Sequence, residues 1–241
     1  RDTTVNIKKN KPYTVRLKVP YDLKLTINDL VQGKVSVNST ELDDCILVRS
    51  DKKPTFMLAS AVDDLEMDIT HIIRGDDHLT NTFRQHLIYE FSQKKIPDFA
   101  HIPLILNEKG KKLSKRDEVP SILDLKKEGF LNEAISNYLL RLGWSYKNFE
   151  IINLQDSAKL FDLKDVGKSP ARLDTKKIKF LNEHYLKKLP KKNIFCLYKD
   201  LLIEEGKVIS DYHADNLLKY FDEFTERASN LKDIISKTKY F

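Results

Sequence analysis

At 241 residues the chain is long enough for one large domain or two smaller ones, and its 41% hydrophobic content is enough for a core beneath a surface rich in charge. Seven Gly and eight Pro exclude a low-complexity chain, no apolar run reaches the length of a membrane span and no secretory signal is visible; with only Cys45 and Cys196, far apart and without metal-ligand spacing, a reduced, cytoplasmic setting is expected. Lys plus Arg number 42 against 36 Asp plus Glu, a formal charge of +6 with a pI near 9.0, which favours a polyanionic partner.

Residues 12–62 read mostly as strands. Tyr13 to Val19 alternates with period two and stops at Pro20; Val35 to Val37 and Ile46 to Val48 are short strands separated by turn signals at Gly33 and Asn38-Ser39. Thr55 to Val62 is apolar enough for a buried strand or a helix start, and its periodicity does not choose between them. Ile69 to Ile73 reads as a buried strand that runs straight into Arg74-Gly75-Asp76-Asp77. A helix follows, with Thr80 or Asn81 as its cap and Phe83, Leu87 and Phe91 at four-residue spacing; Ile102 to Leu106 is the next strand. This order fits the second half of a parallel α/β sheet, whose ligands bind at the carboxyl ends of the strands. After about residue 120 the pattern is helical: Leu131, Ala134, Ile135, Tyr138, Leu139 and Leu142 mark one face ended by Gly143, helices are expected over 153–163 and 174–188, Pro190 breaks the chain, and Ile194–Glu205 and Ala214–Ala228 complete a helical tail.

Charge is unevenly placed along this order. Residues 165–192 hold nine Lys or Arg against three acids and so carry the whole formal excess, whereas residues 63–77 hold six acids and only Arg74. The basic segment interleaves Phe180, His184 and Tyr185, a pattern suited to phosphate-backbone contact with stacking, although a plain basic helix surface has the same composition. In Arg74-Gly75-Asp76-Asp77-His78 the arginine fork can hold a carboxylate, Asp77 can accept from a ribose or an amine, and Gly75 permits close approach; a charged surface turn is the plainer alternative. Asp63, Asp64 and Asp68 have the hard oxygens that Mg²⁺ takes, but a solvated acidic turn explains them as well. His71, His86 and His101 read as core or surface histidines, and His78 stands apart through its place in the turn. Lys112-Leu113-Ser114-Lys115-Arg116, behind the turn Asn107-Glu108-Lys109-Gly110, sets two ammonium groups on flexible stems where they could meet charge developing on a phosphoryl group.

Taken together, Ile69–Thr82, His101–Leu106 and Lys112–Arg116, with Pro54-Thr55-Phe56 and Asp63-Asp64 upstream, closely resemble bacterial-type glutamyl-tRNA synthetases, and Lys112–Arg116 resembles the family's form of the KMSKS signature of class I synthetases. The resemblance continues through Glu128–Leu131, Leu142–Ser145, Lys168–Arg172 and Leu181-Asn182, and thins after about residue 190. It implies an α/β then all-α chain: the C-terminal half of a Rossmann-type catalytic domain (1–120, with an inserted β-rich segment over about 1–50), a helical stem-contact domain (121–190) and the start of a helical anticodon-binding domain (191–241). It implies ATP and Mg²⁺ as cofactors, L-glutamate and tRNA(Glu) as partners, and a monomer. Residue by residue, Phe56, Ser60 and Arg74 would line the glutamate site, Asp77, His78, Lys112, Leu113, Ser114 and Lys115 the ATP site, with Lys112 and Lys115 catalytic, and Lys168, Arg172, Lys176 and Lys177 would touch tRNA. Phe56 and Ser60 stand where many members carry Tyr and Asn. The family's earlier HIGH-type signature has no counterpart in the chain, so the resemblance is to an internal piece of the enzyme, and the alternatives are a tRNA-binding piece without catalysis, a glutaminyl enzyme, or a paralogue that glutamylates a tRNA base.

Overall fold

The structure is a computed structural model that describes residues 11–113 and 120–239. The chain divides into two compact units between Leu104 and Ile105.

In the first unit, β1 (Val15–Arg16), β2 (Lys24–Asp29), β3 (Gly33–Asn38), β4 (Ile46–Val48), α1 (Phe56–Glu66), β5 (His71–Gly75), α2 (Leu79–Ser92) and β6 (Asp98–Ile102) follow in order. A four-stranded sheet runs β3-β2-β6-β5, with β5 parallel to β6 from His71↔Asp98 to Gly75↔Ile102 and β2 meeting β6 at Asp29↔Phe99. β5, α2 and β6 therefore form the expected strand–helix–strand unit of a Rossmann-like half. The helices bury Ala61, Leu65, Phe83, Leu87, Ile88 and Tyr89 with Leu25, Ile27 and Phe99 of the strands. The ambiguous stretch after Thr55 is a helix, and Ala61 and Leu65 are its inward pair at four-residue spacing.

Three expectations need correction. The strand expected over Tyr13 to Val19 shrinks to β1, because Leu17 N–H donates to the Cys45 carbonyl and Val19 N–H to the Asp44 carboxylate instead of continuing a ladder. Neither Thr80 nor Asn81 caps α2: a 3-10 turn over Asp76–His78 feeds directly into the helix, which begins at Leu79. The strand expected over Ile102 to Leu106 is two, since Pro103 has no N–H to extend the ladder and separates β6 from β7 (Ile105–Leu106).

The second unit continues from β7 with α3 (Ile122–Lys127), α4 (Asn132–Arg141), α5 (Leu154–Leu160), β8 (Ala171–Arg172), α6 (Thr175–Lys188), α7 (Lys191–Glu204), α8 (Asp211–Thr225) and α9 (Leu231–Lys237). Its core joins Leu131, Ala134, Ile135, Tyr138 and Leu142 to Ile178, Leu181 and Tyr185 of α6 and to α7, α8 and α9. Leu139 leaves the expected stripe: it follows Tyr138 directly, lies a hundred degrees further round the helix, and is 41% exposed. Buried asparagines tie the helices. Asn182 accepts from Leu131 N–H at 2.7 Å and donates to the Ser229 carbonyl at 2.6 Å, and Asn137 accepts from Ile152 N–H and Tyr185 Oη while donating to the Glu150 carbonyl. Gly129, at φ +78°, lets the start of α9 close in: a Cβ there would stand 2.9 Å from Leu231 N. Among the described residues no helix is long and apolar enough to cross a membrane.

Candidate active site

In the first unit, Arg74 leaves the carboxyl end of β5 and reaches back over the sheet. Its guanidinium carbon lies 5.9 Å from the Phe99 ring centre. Nη2 donates to Thr82 Oγ1 at 2.8 Å, and Nε donates to His101 Nε2 at 3.2 Å. His101 is fully buried on β6, and its Nδ1 is 2.6 Å from Asp29 Oδ2. Asp29 ends β2 and accepts the backbone N–H groups of Val31, Gln32 and His101. Burial pushes the Asp29 carboxyl up, but the hydrogen bonds from Gln32, His101 and Val31 outweigh it and hold the group below its ordinary value. Burial likewise pushes the Arg74 guanidinium down, opposed by Tyr89, Asp64 and Asp29. No carboxylate forms an ion pair with Arg74 among the described residues. A half-buried cation fixed from behind, with no carboxylate in ion-pair contact among the described residues, is suited to an incoming carboxylate.

Two helix faces wall this arginine. Phe56, Ser60 and Asp64 follow at four-residue spacing on α1, and they meet His78, Gln85 and Tyr89, the last two on α2. The Phe56 and His78 ring centres lie 6.4 Å apart, Gln85 Nε2 donates to Ser60 Oγ at 2.8 Å, and Tyr89 Oη donates to Asp64 at 2.9 Å. Phe56 is 60% exposed and brings no polar atom. Ser60 gives its hydroxyl hydrogen to the Phe56 carbonyl at 2.8 Å. The Tyr89 hydroxyl is held protonated by burial and by the Asp64 carboxylate. Gly75 serves the turn itself, since a Cβ there would stand 2.7 Å from Asp77 Oδ1. Asn81 Nδ2 lies 3.1 Å from His78 Nδ1 and orients that ring.

In the second unit, β7 turns back through Asn107 to Gly110. Gly110 N–H donates to the Asn107 carbonyl, Lys111 N–H to Asn107 Oδ1, and Lys112 bridges Leu106 across the hairpin. Gly110 has φ +77°, and a Cβ on it would press on the Arg172 guanidinium at 3.3 Å. β8 thus braces the hairpin from which exposed Lys112 and half-buried Leu113 project. Ser114 and Lys115 lie outside the described residues. Beyond β8, Lys168, Arg172 and Lys176 are exposed, while Lys177 Nζ is 2.8 Å from Glu150 Oε2. Lys177 and Arg141 hold the Glu150 carboxyl below its ordinary value.

The structure thus brings Phe56, Ser60, Arg74 and His78 together, with Asp77 in the adjoining turn. Sequence reasoning overlooked Asp29, Thr82 and Gln85, and set His101 aside as a core or surface histidine. His101 is indeed buried, yet it touches the arginine. A charged residue closing an alternating strand, at Asp29, was the one available signal. No group of three His, Cys, Asp or Glu side chains converges as a metal site among the described residues, and Asp64 is engaged by Tyr89.

Comparison with known proteins agrees with this layout. The chain is 46% identical over 233 residues to "Glutamate--tRNA ligase 2" of Anaplasma phagocytophilum, covering 96% of the chain and 50% of that protein. It is 45% identical to "Glutamate--tRNA ligase 1" of Ehrlichia canis, covering 94% and 49%. A crystal structure of a glutamate tRNA ligase from Elizabethkingia meningosepticum in complex with its amino acid superposes with a TM-score of 0.84 at 38% identity, covering 95% of the chain and 49% of that structure. The chain spans about half the length of the curated relatives it matches. Residues 1–180 match the family described as tRNA synthetases class I (E and Q), catalytic domain, and the chain belongs to that family.

Proposed function

We propose that the protein containing this chain is a glutamate–tRNA ligase that activates L-glutamate with ATP and transfers it to tRNA(Glu). The observation that carries the reading is Arg74: a half-buried guanidinium, held by Thr82 and His101 and without a carboxylate partner among the described residues, in a chain of this family. Arg74 binds a carboxylate of glutamate. Phe56 and Ser60 line the same pocket, with Gln85 bringing its amide to Ser60. Asp77 and His78 border the adenosine. One carboxylate oxygen of glutamate attacks the α-phosphorus of ATP, the bond to the β-phosphate oxygen breaks, and pyrophosphate leaves the glutamyl adenylate. Lys112 and Lys115 neutralise the charge that develops on the phosphates, a positioning and electrostatic task. A hydroxyl of the terminal tRNA ribose then attacks the acyl carbon and AMP leaves. Mg²⁺ bound with ATP would supply charge neutralisation on its phosphates. Lys168, Arg172 and Lys176 meet tRNA phosphates, and Lys177 does so only by leaving Glu150. The protein works as a cytoplasmic monomer.

Glutamate-dependent exchange of pyrophosphate into ATP, measured on the full-length protein with tRNA(Glu) present, tests this. Exchange with glutamate and not glutamine is expected. Lys115→Ala should slow it by about 10²–10³-fold without loss of fold; near-normal exchange would remove the lysine from the mechanism. Binding of tRNA without exchange in the wild type would favour a non-catalytic tRNA-binding role.

A further inference from the structure

We propose that Asp29, His101 and Thr82 form a positioning relay that presents Arg74 to the amino acid, with His101 held as the neutral Nδ1–H tautomer. The relay rests on the reading of Arg74 as the carboxylate-binding residue. Its geometry fixes the direction of each bond. Asp29 accepts only, and it already takes the N–H groups of Val31, Gln32 and His101. The proton between Asp29 Oδ2 and His101 Nδ1, 2.6 Å apart, therefore sits on the imidazole. That leaves Nε2 with its lone pair facing Arg74 Nε at 3.2 Å and Thr82 Oγ1 at 3.0 Å. Thr82 in turn accepts from Arg74 Nη2 at 2.8 Å. Two side-chain acceptors, with the His78 carbonyl 3.4 Å from Nη2, thus hold one side of the guanidinium fork, and none of the three is an anion. A carboxylate in their place would neutralise Arg74; a neutral imidazole and a hydroxyl orient it and leave its charge for a ligand.

Burial is the second support. Thr82 and His101 are 0% exposed and Asp29 is 5% exposed, so water does not compete for these bonds. Asp29, Thr82 and His101 come from β2, α2 and β6, and the relay fastens all three elements behind the one side chain that leaves β5. Gln32 Nε2 donates to the His101 carbonyl at 2.9 Å and closes the far end.

Substitutions that differ by single hydrogen-bonding atoms separate this role from a structural one. Thr82→Val keeps the shape and removes the acceptor, whereas Thr82→Ser keeps the acceptor. His101→Gln places an acceptor where Nε2 stood, and His101→Asn keeps a donor for Asp29 but offers no acceptor to Arg74. Asp29→Asn offers an amide to Nδ1 and so drives the proton to Nε2, where it faces Arg74. In pyrophosphate exchange by the full-length protein, Thr82→Val, His101→Asn and Asp29→Asn should raise the glutamate KM about tenfold to a hundredfold. The ATP KM should stay within about twofold, because the relay meets the proposed adenosine border only at the His78 backbone carbonyl, 3.4 Å from Arg74 Nη2 and from Thr82 Oγ1. Thr82→Ser and His101→Gln should restore most of the glutamate KM, even where their melting temperatures match those of the failing variants. Equal rises in both KM values, unchanged glutamate KM in Thr82→Val and Asp29→Asn, or recovery that follows melting temperature alone would overturn the relay while leaving the ligase reading intact. Absence of glutamate-dependent exchange in the wild type would overturn both. Nitrogen chemical shifts of His101 should show Nδ1 protonated and Nε2 bare, and the reverse tautomer would also sink the proposal.

Discussion

Arg74 shows how a residue can be conspicuous in sequence while the groups that define it are not. Its position after an apolar strand marked it as a ligand for a carboxylate, but its partners Thr82 and His101 lie 8 and 27 residues away, and Asp29 lies 72 residues from His101. No local pattern connects such positions; only the parallel pairing of β5 with β6 and of β6 with β2 does. Arg74→Lys keeps the charge and loses the planar fork, so Thr82 and His101 can no longer both hold it. Steady-state kinetics with glutamate should show kcat/KM lower by about 10²-fold in that variant, mostly through KM. Asp29 also gives the fold a pH dependence. Its folded-state carboxyl titrates below its unfolded value, so its contribution is complete above the unfolded value and is lost as pH falls through the folded one. Asp29→Asn should cost about 1–3 kcal/mol at neutral pH. Chemical denaturation should show that difference shrinking as the pH is lowered below about 4. A difference that stays constant to pH 2 would show that the carboxylate charge is not what the amides hold.

At the scale of elements, legibility followed period and punctuation. β5 was readable as an apolar run, although it begins two residues later than expected and is not buried, with Ile73 53% exposed; α6 was readable as an amphipathic stretch entered at Asp174, whose carboxylate accepts from Lys176 and Lys177 N–H. β2 escaped notice although Leu25, Ile27 and Asp29 alternate inward, because a buried aspartate does not read as a core position. α9 escaped because it is seven residues long and owes its place to contacts made elsewhere. Those contacts run through Gly129 and Asn182, which the sequence offered only as parts of longer motifs. Gly129→Ala meets both a left-handed backbone and a Cβ placed 2.9 Å from Leu231 N, so thermal denaturation should show a loss of at least about 1–2 kcal/mol. Asn182→Ala leaves the buried Leu131 N–H and the half-buried Ser229 carbonyl without the Asn182 amide, and should cost about 2–4 kcal/mol. In hydrogen exchange the amides of α9 should lose protection in both variants before those of α4 and α6 do; uniform loss across the unit would show that α9 is not a separable element.

For the whole molecule, the proposed amino-acid and tRNA tasks fall on segments of opposite charge. The formal excess of +6 is carried by residues 165–192 within the second unit, while residues 63–77 of the first unit hold six acids and one arginine. An amino-acid pocket tolerates acidic surroundings if one fixed cation faces the ligand, whereas a polyanion needs many cations spread along its path. The structure also distinguishes among those cations. Lys176 and Lys179 are exposed along α6, but Lys177 is 2.8 Å from Glu150, whose carboxyl is held below its ordinary value by that lysine and Arg141. A lysine already paired releases fewer counterions on meeting phosphate. If α6 lies along tRNA, Lys176→Ala and Lys179→Ala should each lower the magnitude of the slope of log K against log salt by about 0.7–0.9. Lys177→Ala should change the slope by much less, because the phosphate it could meet must first displace Glu150. Glu150→Gln frees that ammonium, so it should strengthen tRNA binding at low salt and steepen the slope. The four variants leave the Arg74 pocket untouched, so pyrophosphate exchange at saturating tRNA should run at the wild-type rate. Filter binding across a salt series decides the matter: equal slope changes at Lys176 and Lys177 would show that Glu150 does not withhold Lys177 from phosphate, and no change at either would place the tRNA on a different face.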